Sequence, residues 1–293
     1  MNGDDGVTPE AAFTALGNEI RLRILHVLAD AAETGSETAS FSDIYDQVDI
    51  DSTSQLAYHL DALDGIFVHN GESGYGLTQA GDRIVRTIRS GTYSDRPSFE
   101  PTTLDGQCLS CDATTLVAEY QEPFLVVDCQ ACTTRIVTYN LPPAESQDRT
   151  NIEILESCNR RVNHEYATAL RGTCSQCGGV TDLEIEARSE PSTQTCVATC
   201  RQCRLRLYAP LEVRLLHHPE VAAFYWRHGV DVLELPLWDL PSYVDDWELD
   251  VVETDPFECR ATIVYHGDSV QVSVDGDLRV SVRGHQNSPH ASD

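Results

Sequence analysis

Eight cysteines fall into four Cys-x-x-Cys pairs: Cys108/Cys111, Cys129/Cys132, Cys174/Cys177 and Cys200/Cys203. Thiolates are the soft ligands that zinc takes at tetrahedral corners, and two short turns bearing one pair each supply all four. Hairpin-length stretches, residues 112–128 and 178–199, separate the first pair from the second and the third from the fourth. The spacing predicts two zinc ribbons and two structural zinc ions per chain. A site closed by four sulfurs leaves no position for a substrate, so the expected role is structural and not catalytic. Each ribbon is too small to bury a core of its own, so the metal would supply much of its folding free energy. Cys196 lies close enough to Cys200 to compete as a ligand, but its place at the end of a strand reads as core. Cys158 and Cys259 have no partner at ligand spacing and read as buried thiols.

The elements around these pairs look duplicated. GQCLSC at 106–111 and GTCSQC at 172–177 each open a ribbon. CQACTTRIVTYNLP at 129–142 parallels CRQCRLRLYAPLEV at 200–213, with Arg135 matching Arg206 and an apolar strand after each. The offset grows from 66 residues (108 to 174) to 71 (129 to 200), so the second hairpin is longer. A helical segment follows each ribbon, over 153–170 and over 219–228, where Gly229 stops the helix. Alternating apolar residues at Ile263, Tyr265, Val270, Val272, Val274, Leu278, Val280 and Val282 predict C-terminal strands, with Asp275-Gly276 as a two-residue hairpin turn. The aromatic residues Phe224, Tyr225, Trp226, Trp238, Tyr243 and Trp247 read first as core or subunit interface and second as the lining of an effector pocket. His217 and His218, just before Pro219, read as exposed residues of a helix start.

Ahead of the ribbons, Phe13, Leu16, Ile20, Ile24, Leu25 and Leu28 recur at helical spacing over 9–29. A short second helix begins near Ser42 as N-cap, with Phe41 as a staple. Ser52 and Gln55 fit a capping box for a third helix, with Leu56, Leu60 and Leu63 as its buried stripe and Gly65 as its stop. Two short β-runs at 66–68 and 75–77 flank the polar tip 69–74, and a further helix follows Thr78. That order of elements is the one found in winged helix-turn-helix domains. The predicted architecture is α+β: a winged helix-turn-helix over 1–92, a linker over 93–105, one ribbon-plus-helix unit over 106–171, a second with C-terminal β-hairpins over 172–284, and a tail over 285–293.

The 293-residue chain has 47 acidic and 20 basic residues, a net charge of −27, and every basic residue is arginine. Such a lysine-free acidic composition resembles the proteins of extreme halophiles. A charge of that sign normally opposes nucleic-acid binding. In molar salt the screening length falls to about 3 Å, so local contacts decide instead. No stretch approaches the ~20 apolar residues of a membrane helix. The start, MNGDDGVTPEAA, lacks the regions of a signal peptide, and the cysteine content then fits a reducing compartment. The expected location is cytoplasmic, away from membranes.

The first ninety residues resemble the ArsR-type winged-helix regulators of archaea, through LGNEIRLRILHVL at 16–28, STSQLAYHLDALDGIFV at 52–68 and GYGLTQAGDRIV at 74–85. The resemblance implies a homodimer that binds double-stranded DNA with the third helix in the major groove. Residue by residue, it assigns base-edge or phosphate contacts to Ser54, Gln55, Tyr58 and His59. It also assigns wing contacts to His69 and Asn70, and phosphate contacts to Arg21, Arg23 and Arg83. The third helix lacks the cysteine pair of the metal-sensing members, so the zinc sites would form a separate structure. Asp51, Asp61, Asp64 and Glu72 are unfavourable beside phosphates.

The resulting expectation is a sequence-specific transcriptional regulator whose ribbons serve dimerisation, partner contact or sensing. Winged helix plus zinc ribbon is also how basal factors resembling the archaeal initiation factor E are assembled, which makes the transcription machinery an alternative partner. A thiol redox switch is a third reading. No Gly-rich phosphate loop, nucleophile elbow or His-Glu-x-x-His run points to an enzyme.

Overall fold

The structure, a computed structural model, describes residues 7–108, 110–187 and 194–286. It divides into two compact units. One holds Met1–Arg96 with Pro142–Ala144, and the other Pro97–Leu141 with Glu145–Asp293. Both ribbons and the C-terminal strands therefore share one unit.

The first unit contains α1 (Pro9–Leu16), α2 (Glu19–Glu33), α3 (Phe41–Gln47), α4 (Thr53–Leu63), the hairpin β1 (Val68–Gly71) and β2 (Gly74–Leu77), and α5 (Gln79–Arg89). The helix expected over 9–29 is two helices. Gly17 ends α1 by donating to Phe13 and Thr14 carbonyls, and Asn18 Oδ1 caps α2 by accepting from Ile20 and Arg21 N–H. Helix α3 is capped by Ser40 and not Ser42. Ser40 and Asp43 form a reciprocal capping box, with Phe41 as the first helical residue. Ser52 caps α4 through Gln55 N–H as expected, without a reciprocal side-chain bond. Ile24, Leu25, Leu28, Ile44, Leu56, Leu60, Leu63, Phe67 and Val85 close into one core, each fully buried large side chain contributing roughly 1.5–3 kcal/mol.

The hairpin joins α5 through a tight contact. Thr78 N–H donates to the Phe67 carbonyl, while Thr78 Oγ1 donates to the Ile66 carbonyl and accepts from Gly81 N–H. A Cβ at Gly81 would lie 2.1 Å from the Phe67 carbonyl oxygen, so only glycine fits there.

The second unit opens with a four-stranded antiparallel sheet of β3 (Thr102–Leu104), β4 (Leu116–Gln121), β5 (Phe124–Cys129) and β6 (Arg135–Asn140), in that order. Its first strand takes up the end of the expected linker. Helix α6 (Asn151–Ala169), capped by a Thr150–Glu153 box, lays Ile154, Leu155, Cys158 and Val162 into the core of this sheet with Tyr139 and Trp238. A three-stranded sheet follows: β7 (Thr181–Ala187), β8 (Gln194–Cys200) and β9 (Arg206–Pro210). Within the longer second hairpin expected from the sequence offset, β7 and β8 pair over seven residues each, and residues 188–193 between them lie outside the described residues. Tyr166 Oη of α6 donates to the Tyr208 carbonyl of β9, and Asn159 and Asn163 bind the backbone of Leu235, Leu237 and Leu233. Helix α6 thus ties the first ribbon to the segments after the second.

After β9 come α7 (Leu211–Leu216), α8 (Pro219–Arg227) and the short α9 (Pro241–Val244). The apolar strand expected after Arg206 is β9, and the apolar stretch at 211–216 that follows it is helical. A four-stranded meander closes the unit: β10 (Glu248–Thr254), β11 (Phe257–Tyr265), β12 (Asp268–Val274) and β13 (Val280–Gln286). The expected Asp275-Gly276 two-residue turn is instead a five-residue loop over 275–279. Leu278 adopts φ 57°, and Asp275 Oδ1 accepts from the backbone of Asp277 and Arg279. The end of the expected tail, 287–293, lies outside the described residues. Among the described residues no helix is long and apolar enough to cross a membrane.

Candidate functional site

The four Cys-x-x-Cys pairs share one local conformation. In three of them the amide four residues past the first cysteine donates back to that cysteine's carbonyl: Asp112 to Cys108, Thr133 to Cys129, Gly178 to Cys174. The first cysteine's own amide donates to the carbonyl of Ala113, Thr134, Gly179 and Leu205 in turn. Each turn needs one left-handed residue, and these are Asp112 (φ 56°), Thr133 (φ 62°), Gly178 (φ 72°) and Arg204 (φ 63°). The tightness of the turn exposes backbone N–H groups to sulfur. Ser110 N–H points at Cys108 Sγ (3.4 Å) and Cys203 N–H at Cys200 Sγ (3.5 Å).

The turns meet in two clusters, Cys108/Cys111/Cys129/Cys132 and Cys174/Cys177/Cys200/Cys203, with all sulfurs of a cluster within 4.8 Å of one another. The crosswise separations are 3.6 Å for Cys108–Cys132, 3.7 Å for Cys111–Cys129, 3.6 Å for Cys174–Cys203 and 3.5 Å for Cys177–Cys200. A tetrahedron with metal–sulfur bonds of about 2.3 Å has edges of about 3.8 Å, whereas a disulfide brings sulfurs to about 2.05 Å. All of these cysteines are free thiols. The donor set, the spacing and the N–H···S contacts therefore fit a tetrahedral metal ion in each cluster, which would crosslink two turns and fix the end of its sheet.

In both clusters the first cysteine of each pair is buried, while Cys111, Cys177 and Cys203 are exposed. Cys129 is held down to about 6, foremost by the Cys132 backbone N–H. At Cys200 burial opposes ionisation, yet the N–H groups of Cys203 and Gln202 outweigh it and bring the thiol to about 6. Thiolate, the ligand form, is favoured at both positions. The ends of the ribbons carry matching arginine ties: Arg135 pairs with Asp128 (3.0 Å), and Arg206 with Glu186 (2.6 Å). Gly179 closes against the second cluster, since a Cβ there would lie 3.2 Å from Cys177 Sγ and 2.2 Å from Gln202 Oε1. Sequence spacing identified the ligands but not these backbone donors or Gly179, because neither leaves a side-chain signature.

The other three cysteines lie apart from both clusters. Burial pushes the Cys158 thiol up to about 12 and those of Cys196 and Cys259 to about 11.

In the first unit α4 turns Thr53, Ser54 and Tyr58 outward, Tyr58 being 67% exposed. Gln55 is half-buried. His59, expected on the same exposed face, is only 5% exposed. It sits on the Leu56/Leu60/Leu63 side, its ring edge-on to Tyr58 at 5.3 Å. Burial, and then the Arg21 charge, lower its pKa. Arg21 is half-buried and donates to the Thr14 carbonyl, with its Nε buried, and Arg23 pairs with Glu19 at 2.8 Å. His69 and Asn70 are exposed on β1, and Arg83 is exposed on α5. His69 lies across Gly76, where a Cβ would come within 2.6 Å of its Nε2.

Of the aromatic residues, Phe224, Tyr225 and Trp247 are buried in the core beneath the C-terminal sheet, and Tyr243 packs against it. Trp238 belongs to the core of the first ribbon, and Trp226 is exposed. His217 is not solvent-exposed as expected. Its Nδ1 lies 2.8 Å from the Val213 carbonyl, and burial lowers its pKa.

Fold and site thus define a two-unit chain with one helical unit and one unit built on two four-cysteine centres. The chain belongs to the family described as a domain of unknown function, DUF7351, whose model matches residues 105–280. A second domain of unknown function, DUF7347, matches residues 9–88. No curated protein and no solved structure matches the chain. The first match spans both clusters and most of the closing meander, and the second spans α1 to most of α5.

Proposed function

We propose that this protein is a dimeric, sequence-specific DNA-binding transcriptional regulator of ArsR-like type, cytoplasmic and adapted to molar salt, in which zinc ions occupy the two four-cysteine clusters. Each zinc would be held by four thiolates and would supply folding free energy, leaving no open coordination position. The observation that supports DNA reading is the division of α4. Leu56, Leu60 and Leu63 face the core, while Ser54 and Tyr58 stand in solvent, one short turn after α3 and just ahead of a hairpin whose strand β1 exposes His69 and Asn70. Hydroxyl groups can reach base edges or phosphates, and the Tyr58 ring can pack on a thymine methyl.

His59 is better understood as a support for this surface than as a contact. Buried under Tyr58, it fixes the register of the helix face. Arg21, Arg23 and Arg83 are then the candidate phosphate contacts. With three such contacts per protomer, six in the dimer, the slope of log K against log salt would be about −5 or shallower.

The test is nuclease protection of genomic fragments by the full chain in molar KCl. A discrete, near-palindromic footprint is expected, abolished by Ser54→Ala with Tyr58→Ala while circular dichroism stays unchanged. Equal binding to all fragments by wild type and variant would refute sequence-specific reading. Association with RNA polymerase at most promoters would favour a basal-factor role instead.

A further inference from the structure

Helix α9 and the end of β11 bring together rings that are distant in sequence. Tyr243 and Tyr265 lie with centroids 6.1 Å apart and planes 23° apart, and His266 meets Tyr265 edge-on at 4.3 Å. With Ser242, Asp246, Val264 and Gly267 they line an open cavity of about 530 Å³, within the size range of small-molecule sites.

The walls are fixed from behind by the core. Trp247 Nε1 donates to Tyr225 Oη (2.8 Å), which donates to the Tyr243 carbonyl (2.7 Å), and the Tyr225 ring lies 5.0 Å from that of Tyr265. Tyr225 is fully buried. The cavity wall is thus preorganised, which lowers the ordering cost of binding.

The lining combines tyrosine rings, one carboxylate and the His266 imidazole. Aromatic faces are the negative poles of their quadrupoles. The Asp246 carboxylate is exposed at the cavity and has no arginine or histidine ion-pair partner among the described residues. Asp239 also acts on Tyr243 through its charge. Among the described residues no arginine lines the cavity. Ring faces next to an unpaired carboxylate attract a cation with an apolar body, which can spread its charge over the rings at centroid distances up to about 6 Å.

We propose that this cavity binds a small organic ammonium ion, with Tyr243 and Tyr265 facing its alkyl groups and Asp246 offsetting its charge. The inference is independent of DNA binding, and it would give the second unit a ligand to sense.

Calorimetric titration of the full chain in molar KCl tests this, with choline chloride as the probe and 3,3-dimethylbutan-1-ol as its neutral isostere. Molar salt screens the long-range attraction of choline to the acidic surface, so binding that persists reports the rings and the adjacent Asp246 carboxylate. Saturable choline binding is expected, at least about tenfold tighter than the isostere, and Tyr265→Leu and Asp246→Asn should each weaken it about tenfold. Asp246 is exposed, so its variant keeps the test valid if Tyr265→Leu disturbs folding. Absence of saturable choline binding to the folded chain, equal affinity for the isostere, or binding unaffected by Asp246→Asn would overturn the proposal.

Discussion

At the scale of single residues, environment decides what a side chain can do, and His59 is the clearest instance. Its type and its place beside Tyr58 suggest a contact residue, but its neighbours across the core are set by how α2 packs on α4, which no local pattern reveals. Burial and the nearby Arg21 charge lower its pKa. The consequence for stability has a definite sign. Above about pH 6.5 the residue is neutral in both the folded and the unfolded chain. Below that, the unfolded chain takes up the proton and the folded chain resists it, so stability falls as pH drops through and below about 6.5. Melting temperature should decline over that range, and His59→Leu should flatten the decline. Superimposable pH profiles for the two proteins would contradict the assignment. The cysteine ligands were legible for the opposite reason: four soft donors at fixed spacing define a site whatever surrounds them. What stayed hidden there was backbone. The N–H···S donors and the left-handed Asp112, Thr133 and Arg204 carry no residue-type signal, and among the four left-handed positions only Gly178 is a glycine.

At the scale of elements, caps and glycines carry more of the fold than hydrophobic periodicity does. Periodicity runs unbroken from Phe13 to Leu28, yet Gly17 and Asn18 split the helix, because Asn18 Oδ1 offers the next turn a cap. Ser40 outcompetes Ser42 because only Ser40 has Asp43 three residues on to return the hydrogen bond. The apolar run Leu211–Leu216 fits a buried strand or a buried helix equally well by pattern, and packing beneath the C-terminal sheet makes it helical. Asp275-Gly276 failed as a two-residue turn because Asp275 bonds the amides of Asp277 and Arg279 and so widens the loop. The junction of hairpin and α5 gives an element-scale prediction. Gly81→Ala places a Cβ against the Phe67 carbonyl, a backbone atom that cannot rotate away. A loss of about 2–4 kcal/mol is expected in the first unit, read by chemical denaturation. A loss below about 0.5 kcal/mol would show that α5 can shift without cost.

At the scale of the whole molecule, a net charge of −27 without a single lysine makes folding depend on the solvent. Self-repulsion opposes the compact state and is relieved by screening. The melting temperature should rise steeply between dilute buffer and molar KCl, and a salt-independent value would remove the halophilic reading. The same scale holds the central claim, that the second unit is organised by two metal-bound four-cysteine centres. Sequence spacing anticipated both clusters, and geometry brings each to the edge length of a tetrahedral site. Native mass spectrometry of the purified chain, before and after chelation, tests that claim most directly. The account predicts two zinc ions per chain, one fewer in Cys129→Ser, and loss of ordered structure in the second unit once both are stripped. A folded chain free of metal, or one whose paired cysteines are joined as disulfides, would contradict it.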